Sequence, residues 1–252
     1  MLDTAARLDQ VSRFCDDLQA LRRPVPGVAR IDNAGTVTVG TYADGTPAGW
    51  PLWLAGHGRH TTVVGAAGSG KTLLLRSLLY GVAAADVNAQ IIDLGPGQLT
   101  GLPHPTARDL DAARTVLATI SGIARRDRTG TLRLLVIDDL TLLTRDPVAA
   151  RMLHHLALVA ADAGIAIVTS VQSPQLRTYG AAALGRDAEH LRDLLSQELV
   201  LQRIPAAATA TMLLPHGPDL PYLASRLGDG TPTAGLGFLP RHRPTPFRAW
   251  LP

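Results

Sequence analysis

The stretch that decides the fold of this chain is residues 61–72, which read TTVVGAAGSGKT. From Gly65 to Thr72 it matches the pattern G-x-x-x-x-G-K-[ST], with a short β-branched run before it and a long apolar helical pattern after it. Glycines let successive backbone N–H groups point at phosphate oxygens, and the next helix adds its positive N-terminal end. A glycine-rich turn that matches by chance is the alternative, but both flanks agree with a phosphate-binding loop.

The residues of this phosphate loop (residues 65–72) divide the chemistry between them. Lys71 is the only lysine among 24 basic residues, and it supplies a compact charge toward the β- and γ-phosphates. Thr72 supplies a hydroxyl for Mg²⁺. The predicted nucleotide-binding residues are Gly65, Gly68, Ser69, Gly70, Lys71 and Thr72.

A second candidate motif, residues 134–139, reads LLVIDD. Its four apolar residues predict a parallel strand that is buried on both faces. We expect this strand to neighbour that of the phosphate loop, so that Asp138 emerges where ligands of open α/β sheets bind and holds Mg²⁺ through water. Asp139 is the candidate base that orients the attacking water, and the alternative is a simple aspartate at the start of the next helix.

A glutamine follows the strand predicted at residues 165–170. At the tip of a strand beside the phosphate site, the amide of Gln172 can sense the γ-phosphate; an ordinary loop glutamine is the alternative. The predicted catalytic residues are therefore Lys71, Asp139 and Gln172, and the predicted metal-binding residues are Thr72 and Asp138.

Strands and helices alternate from residue 60 onward, which predicts an α/β fold. This order is typical of a mostly parallel sheet with right-handed crossovers and helices on both faces. The predicted strands cover residues 61–64, 89–93, 132–137, 165–170 and 199–202. The predicted helices cover residues 71–84, 109–126, 147–163 and 187–196.

Two segments are predicted, at residues 1–26 and 27–252. The first contains an amphipathic helix over residues 3–22, which either packs on the following domain or makes an oligomer contact. The second is the main domain, and short runs of strand character predict small β additions to it. These additions fall at residues 27–54, 235–239 and 247–251.

Composition excludes several classes of protein. Cys15 is the only cysteine of the 252 residues, so a disulfide framework or a four-cysteine zinc site is impossible. No apolar run is long enough for a transmembrane helix, and residues 1–7 do not begin a secretory signal, so we expect a cytoplasmic protein. The formal charge of +3 weakly favours anionic partners.

These motifs, in this order, resemble the FtsK/SpoIIIE branch of the FtsK–HerA motor ATPases. The resemblance spans residues 36–250 and is carried by residues 44–60, by GLPH at 101–104 and by TSVQSP at 169–174, with Gln172 in the family's sensor position. It implies a RecA-like P-loop NTPase that uses ATP and Mg²⁺. It also implies hexamers that move double-stranded DNA, here in plasmid or mobile-element transfer, beside a membrane-bound partner protein.

The sequence departs from that family at three positions. No lysine follows Asp93, Ser173 replaces the usual arginine, and Asp139 replaces the usual glutamate. These departures leave a second hypothesis open, from another class of protein. It is a module similar to the type VII secretion ATPases, which also favour a double aspartate, or a slowly hydrolysing assembly subunit.

Arginines supply further candidates for contacts with phosphate. An arginine that reaches the γ-phosphate of a neighbouring copy would stabilise the transition state, and the candidates are Arg177, Arg186 and Arg203. Two clusters are candidates for contact with DNA phosphates: Arg125, Arg126 and Arg128, and Arg241, Arg243 and Arg248. For each, a role in surface solubility is the alternative, and cations at a helix C-terminus also favour its dipole.

Overall fold

One sheet of twelve strands and a separate pair of strands run through the part of the chain that the structure, a computed structural model, describes. The described residues are 4–23, 25–126, 131–202, 223–239 and 245–251. The strands are β1 (Val25–Pro26), β2 (Arg30–Ile31), β3 (Thr36–Tyr42), β4 (Pro47–Pro51), β5 (Trp53–Leu54), β6 (His57–Gly58), β7 (Thr61–Val64), β8 (Asn88–Asp93), β9 (Thr106–Ala107), β10 (Arg133–Asp138), β11 (Ile165–Val171), β12 (Glu198–Gln202), β13 (Leu236–Phe238) and β14 (Pro246–Leu251). The helices are α1 (Thr4–Ala20), α2 (Lys71–Ala84), α3 (Leu110–Arg126), α4 (Leu140–Thr144), α5 (Pro147–Val159), α6 (Ala181–Leu184) and α7 (Asp187–Leu195), with 3₁₀ turns at Ala161–Ala163 and Leu176–Tyr179.

The sheet has a parallel half and an antiparallel half. The parallel half has the order β12-β7-β11-β10-β8-β9. Beyond β12, the strands β13, β14, β3 and β2 continue the sheet in antiparallel pairs, and β4 pairs antiparallel with β3. The short strand β1 pairs with β14 in parallel, and β5 and β6 form the separate pair. The α/β fold with a parallel sheet and small β additions is therefore confirmed.

One expectation about this sheet was wrong. The strand of the second motif, β10, does not pair with the strand of the phosphate loop, β7, because β11 lies between them and pairs with both. Parallel strands run in one direction, so the ends of β7, β11 and β10 still meet at the same edge of the sheet. Asp138 therefore reaches the phosphate loop across the end of β11.

The core occupies both faces of the sheet because successive residues of a strand point to opposite sides. On β10, Leu134 and Val136 pack into the buried cluster that contains the apolar side of α2. Leu135 and Ile137 pack into the cluster that contains α3, α5 and α7. This two-sided burial explains why the strand reads as a continuous apolar run rather than as an alternating one.

The N-terminal helix α1 packs against the rest of the chain, which is the first of the two expectations for it. The ring of Phe14 stacks on that of Phe238, with 6.0 Å between their centroids. Leu18 packs against the same apolar cluster, and Leu21, just after the helix, is buried.

Several short elements were not predicted from the sequence. Helices α4 and α6 have only five and four residues, too few to show a helical period. The helix expected over residues 147–163 ends at Val159, and a 3₁₀ turn covers Ala161–Ala163. Among the helices within the described ranges, none combines the length and the apolarity that crossing a membrane requires.

Candidate nucleotide-binding site

The phosphate loop connects β7 to α2 as expected, and its glycines are required by its geometry. Gly68 and Gly70 have φ of +69° and +99°, a region that side chains disfavour. A Cβ on Gly70 would also lie 2.7 Å from the backbone nitrogen of Gly235. A Cβ on Gly65 would lie 2.6 Å from Ser69 Oγ. The loop therefore has a shape that only glycine permits at these positions.

Lys71 begins α2 and folds back over the phosphate loop. Its Nζ donates hydrogen bonds to the carbonyl oxygens of Gly65 (2.7 Å) and Ala66 (3.1 Å). The ammonium group is thus held at the mouth of the loop beside the N-terminus of a 14-residue helix. A lysine charge and a helix N-terminus at one place favour an anion such as phosphate.

Asp138 and Thr72 meet at the edge of the sheet, although they are 66 residues apart. Thr72 Oγ1 donates to Asp138 Oδ2 at 3.0 Å. Burial raises the pKa of the Asp138 carboxyl above its ordinary value, against hydrogen bonds from Ser170 and Thr72 that lower it. A carboxylate taken out of water in this way gains strongly from a nearby cation.

The oxygen atoms at this point suit Mg²⁺. A hydroxyl and a carboxylate are hard oxygen ligands, and Mg²⁺ commonly takes only one or two protein ligands while water and phosphates complete its shell. No cluster of three or more His, Cys, Asp or Glu side chains that could hold a metal occurs in the described ranges. The pair of Thr72 and Asp138 therefore fits a metal bound together with a nucleotide.

Asp139 has an unusual backbone. Its φ of +53° and ψ of +72° are left-handed, and it precedes α4 at the N-cap position. The alternative considered for this residue, an ordinary helix cap, fails in one respect, because its side chain makes no capping hydrogen bond. Its half-buried carboxylate, which follows Asp138, therefore does not bind the N-terminus of α4.

Ser170 is a site residue that the sequence did not single out. It lies on β11 with 1% of its surface exposed. Its Oγ donates to Asp138 Oδ1 at 2.5 Å and accepts from the backbone N–H of Asp139 at 2.9 Å. A signal was present in the sequence, since the polar residues Thr169 and Ser170 follow four apolar residues of this strand, and Ser170 lies two residues before the predicted sensor glutamine.

Gln172 lies where the sequence places it, at the end of β11. The preceding residue, Val171, accepts a hydrogen bond through its carbonyl oxygen from the N–H of Gly65 at 3.1 Å. Gln172 itself is exposed. The structure thus brings Lys71, Thr72, Asp138 and Asp139 together with the strand end that carries Gln172.

On the other side of β7, buried polar groups that were not predicted support the phosphate loop. Ser69 Oγ donates to Gln202 Oε1 on β12 at 3.4 Å, and both residues are fully buried. Gly235, just before β13, donates its N–H to the carbonyl oxygen of Ser69 at 2.8 Å. These contacts come from residues more than 130 positions away in the sequence.

Arg248 was expected in a DNA-binding cluster, and for this residue the expectation was wrong. Only 2% of it is exposed, and its guanidinium donates to the carbonyl oxygens of Leu21 (2.7 Å), Ala234 (2.7 Å) and Arg22 (3.1 Å). Its place in a polar, proline-rich part of the sequence predicts a surface cation instead. Burial lowers its pKa, and three backbone carbonyls compensate for the lost water.

The other arginine candidates divide into exposed residues and residues that the structure does not describe. Arg177 and Arg186 are exposed beyond β11, and Arg125 and Arg126 are exposed in the last turn of α3. Four further candidates lie outside the described residues: Arg128, Arg203, Arg241 and Arg243.

The solved structures that share this fold include a conjugation coupling protein and a type VII secretion ATPase. The structure aligns with the conjugation coupling protein TcpA of pCW3, solved with ATPγS, at a TM-score of 0.62 and 17% identity, over 91% of this chain and 71% of that one. It aligns with the cytoplasmic domain of the type VII secretion ATPase EccC of Thermomonospora curvata at a TM-score of 0.66 and 17% identity, over 91% of this chain and 28% of that one.

In a third solved structure, the alignment with this chain covers almost the whole of the other protein. VirB4 of Thermoanaerobacter pseudethanolicus aligns at a TM-score of 0.58 and 12% identity, over 88% of this chain and 98% of that one. No family model and no curated protein matches the sequence. The chain therefore has the fold that these proteins share, in agreement with the resemblance to FtsK/SpoIIIE-type ATPases in the sequence.

Proposed function

We propose that this chain binds ATP with Mg²⁺ at the phosphate loop, hydrolyses it, and uses the energy to move double-stranded DNA in plasmid or mobile-element transfer. The observation that carries the proposal is the convergence of Lys71, Thr72 and Asp138 at one edge of the sheet. Lys71 and Thr72 begin α2 after the phosphate loop, whereas Asp138 ends β10, so elements far apart in the sequence bring a cation, a hydroxyl and a carboxylate to one place.

Binding of the nucleotide follows from the contacts of the phosphate loop. Lys71 exchanges the carbonyl oxygens of Gly65 and Ala66 for β- and γ-phosphate oxygens, and the backbone N–H groups of the loop donate to the same phosphates. Thr72 and Asp138 would hold Mg²⁺. When bound, this ion supplies positive charge against the phosphates as the terminal phosphoryl group leaves.

Hydrolysis needs an oriented water molecule and compensation of negative charge. Asp139 orients the water and accepts its proton, since its carboxylate is free of the helix that it precedes. Gln172 reports the state of the γ-phosphate to β11. An arginine of a neighbouring copy in a hexamer stabilises the transition state, with Arg177 and Arg186 as the exposed candidates.

Two features support DNA as the moved substrate. The protein TcpA, which shares the fold, is a conjugation coupling protein. Exposed Arg125 and Arg126 offer cations to phosphate backbones, and the formal charge of the chain is +3. We place the chain in the cytoplasm, where a membrane-bound partner protein would couple it to the transfer channel.

The second candidate is a module of a type VII-like secretion machine or a slowly hydrolysing assembly subunit. The fold of EccC and the pair Asp138–Asp139 favour it. The burial of Arg248 favours it too, because it removes one cation from the predicted DNA surface.

Steady-state ATP hydrolysis with and without linear double-stranded DNA separates the two candidates. The DNA motor should hydrolyse ATP faster by about tenfold or more when DNA is added, because DNA binding then assembles the active ring. A flat rate, together with ATP-dependent assembly in sedimentation, rejects the DNA motor and supports the second candidate. Replacing both Arg125 and Arg126 with alanine should weaken the stimulation by DNA and leave the rate of ATP hydrolysis without DNA unchanged.

A further inference from the structure

We propose that Ser170 is a positioning residue that sets the geometry of both acidic residues of the site at once. The inference rests on the proposed function, since it concerns the same nucleotide site. It assigns the hydroxyl of β11 a role in orienting the metal-binding carboxylate of Asp138 and the backbone of Asp139.

The hydroxyl of Ser170 makes one hydrogen bond to each acidic residue. It donates to Asp138 Oδ1 at 2.5 Å and accepts from the N–H of Asp139 at 2.9 Å. A serine hydroxyl has one proton to donate, so the direction of both bonds is fixed by the two partners. With 1% of the residue exposed, water does not compete for these bonds.

The first bond orients the carboxylate of Asp138. Because Oδ1 is held by Ser170, Oδ2 is the oxygen that faces Thr72 Oγ1, at 3.0 Å. These two oxygens are the ones that Mg²⁺ would use. Hydrogen bonds to a ligating carboxylate fix its orientation, and their loss typically costs about 10- to 100-fold in metal affinity or activity.

The second bond holds Asp139 in its left-handed conformation. A non-glycine residue at φ of +53° is disfavoured by about 1–2 kcal/mol, although aspartate tolerates it better than most residues do. The bond from its N–H to Ser170 compensates for this cost. This also gives a physical reason for aspartate at position 139, because the longer glutamate is not among the residues enriched there.

The placement of Ser170 also connects the site to the phosphate loop. On the same strand the next residue, Val171, accepts the hydrogen bond from Gly65. Two successive residues of β11 thus contact the phosphate loop on one side and both acidic residues on the other. A shift of this strand when Gln172 meets the γ-phosphate would move Asp138 and Asp139 with it.

Three proteins test the proposal: the wild type, Ser170→Ala, and Thr169→Val as matched control. Thr169 is the adjacent residue of β11, fully buried, but its hydroxyl faces that of Thr62 at 3.3 Å instead of the acidic pair. We expect Ser170→Ala to lower kcat about 10- to 100-fold and to raise the Mg²⁺ concentration for half-maximal binding of a fluorescent ATP analogue about tenfold. The KM for ATP at saturating Mg²⁺ should stay within about threefold. Thr169→Val should leave all three values within about threefold of wild type.

Equal losses of kcat in both variants, or an unchanged Mg²⁺ requirement in Ser170→Ala, would overturn the proposal. A separate measurement needs neither nucleotide nor activity, namely amide hydrogen exchange at Asp139 by NMR in the free protein. The amide should be protected in wild type and in Thr169→Val and should lose about 100-fold in protection in Ser170→Ala. Rapid exchange at Asp139 in the wild type overturns the inference even where Ser170→Ala does not fold. Slow exchange in a protein without ATPase activity would reject the proposed function and retain the role of Ser170.

Discussion

The polar groups on the two sides of strand β7 differ in their exposure to solvent. Toward β11 and β10, the side chains of Asp138 and Asp139 are half-buried, and Gln172 is exposed. Toward β12 and β13, Gln202 and Arg248 are almost completely buried and hydrogen-bond to Ser69 and to Leu21. The first side can exchange its present partners for a ligand, whereas the second cannot without loss of the fold.

The difference in exposure indicates that the two sides have different roles around the phosphate loop. Under the proposed function the side with Asp138 carries the chemistry, because its half-buried and exposed groups can reach metal, water and phosphate. The side with Arg248 holds the shape of the loop, because Arg248 fixes Ala234 and the neighbouring Gly235 binds Ser69. Changes on the first side should affect turnover, and changes on the second should affect stability and, through it, nucleotide affinity.

The largest expected effect lies between the two sides, at Lys71. We expect Lys71→Ala to weaken the binding of a fluorescent ATP analogue by about 1000-fold, since hydrogen bonds to charged groups contribute about 1.5–3 kcal/mol each and two phosphates are contacted. The matched control is Arg76→Ala, one turn and a half further along α2, where the side chain donates to Gln98 O. Its affinity should stay within about threefold, and unchanged affinity in Lys71→Ala would refute the assignment of the site.

The next effect tests the side that holds the loop. Replacing Arg248 with methionine removes the donor from three backbone carbonyl oxygens, of which that of Leu21 is buried, so we expect the free energy of unfolding to fall by about 3 kcal/mol in urea titrations. Arg125→Met, an exposed change of the same kind, should stay within about 0.5 kcal/mol. If Arg248→Met instead leaves stability intact and removes only DNA stimulation, the residue belongs to a DNA surface and the comparison fails.

A third prediction concerns the beginning of β7, far from the phosphate loop. His60 is fully buried, and burial lowers its pKa to about 4, while its Nδ1 accepts from Ile167 N. Since the folded pKa lies below the ordinary value of 6.5, stability is complete above pH 6.5 and falls toward pH 4. Between pH 7 and pH 5 the free energy of unfolding should fall by about 2 kcal/mol from this residue.

Thermal or urea unfolding across this pH range checks the effect of His60. In His60→Gln the contribution of this residue should vanish, so the stability of that variant should depend less on pH. His155→Gln, a change of an exposed histidine, should keep the pH dependence of the wild type. Equal pH dependence in His60→Gln and wild type would show that this histidine is not the buried neutral group described.

The smallest effect tests the side that carries the chemistry. Asp139→Glu restores the residue usual in the resembling family, but its backbone at φ of +53° disfavours the longer side chain. We expect kcat to fall about tenfold with little change in the KM for ATP. A rise in kcat would instead show that the shorter carboxylate limits the reaction and that the site is not built around aspartate.

The sequence predicted the side with the chemistry better than the side that holds the loop, for a physical reason. Lys71, Thr72 and Asp138 lie in short motifs in which chemistry dictates residue types at fixed spacing. The bond between Ser69 and Gln202 joins the phosphate loop to β12 across 133 residues of sequence, and no local pattern predicts it. The expectation about neighbouring strands failed in the same way, since periodicity predicts strands but not the insertion of β11 between β7 and β10.

The wrong prediction for Arg248, as a DNA-contacting residue, has a related cause. A count of charges treats each arginine alike, whereas the environment of Arg248 depends on the carbonyl oxygens of Leu21 and Ala234, which only the fold brings together. The left-handed backbone of Asp139 could not be predicted from the sequence either, because an aspartate pair after an apolar strand is compatible with positive or negative φ. The phosphate loop was the exception, as its glycines directly report their backbone geometry.

The most direct test of the account is an experimental structure of the chain with Mg²⁺ and a slowly hydrolysed ATP analogue. We predict that Lys71 leaves the carbonyl oxygens of Gly65 and Ala66 for the terminal phosphates, that the metal lies against Thr72 and Asp138, and that the bond from Gly235 to Ser69 is unchanged. An analogue bound away from the phosphate loop, or a metal that Asp138 holds neither directly nor through a bound water, would contradict the account.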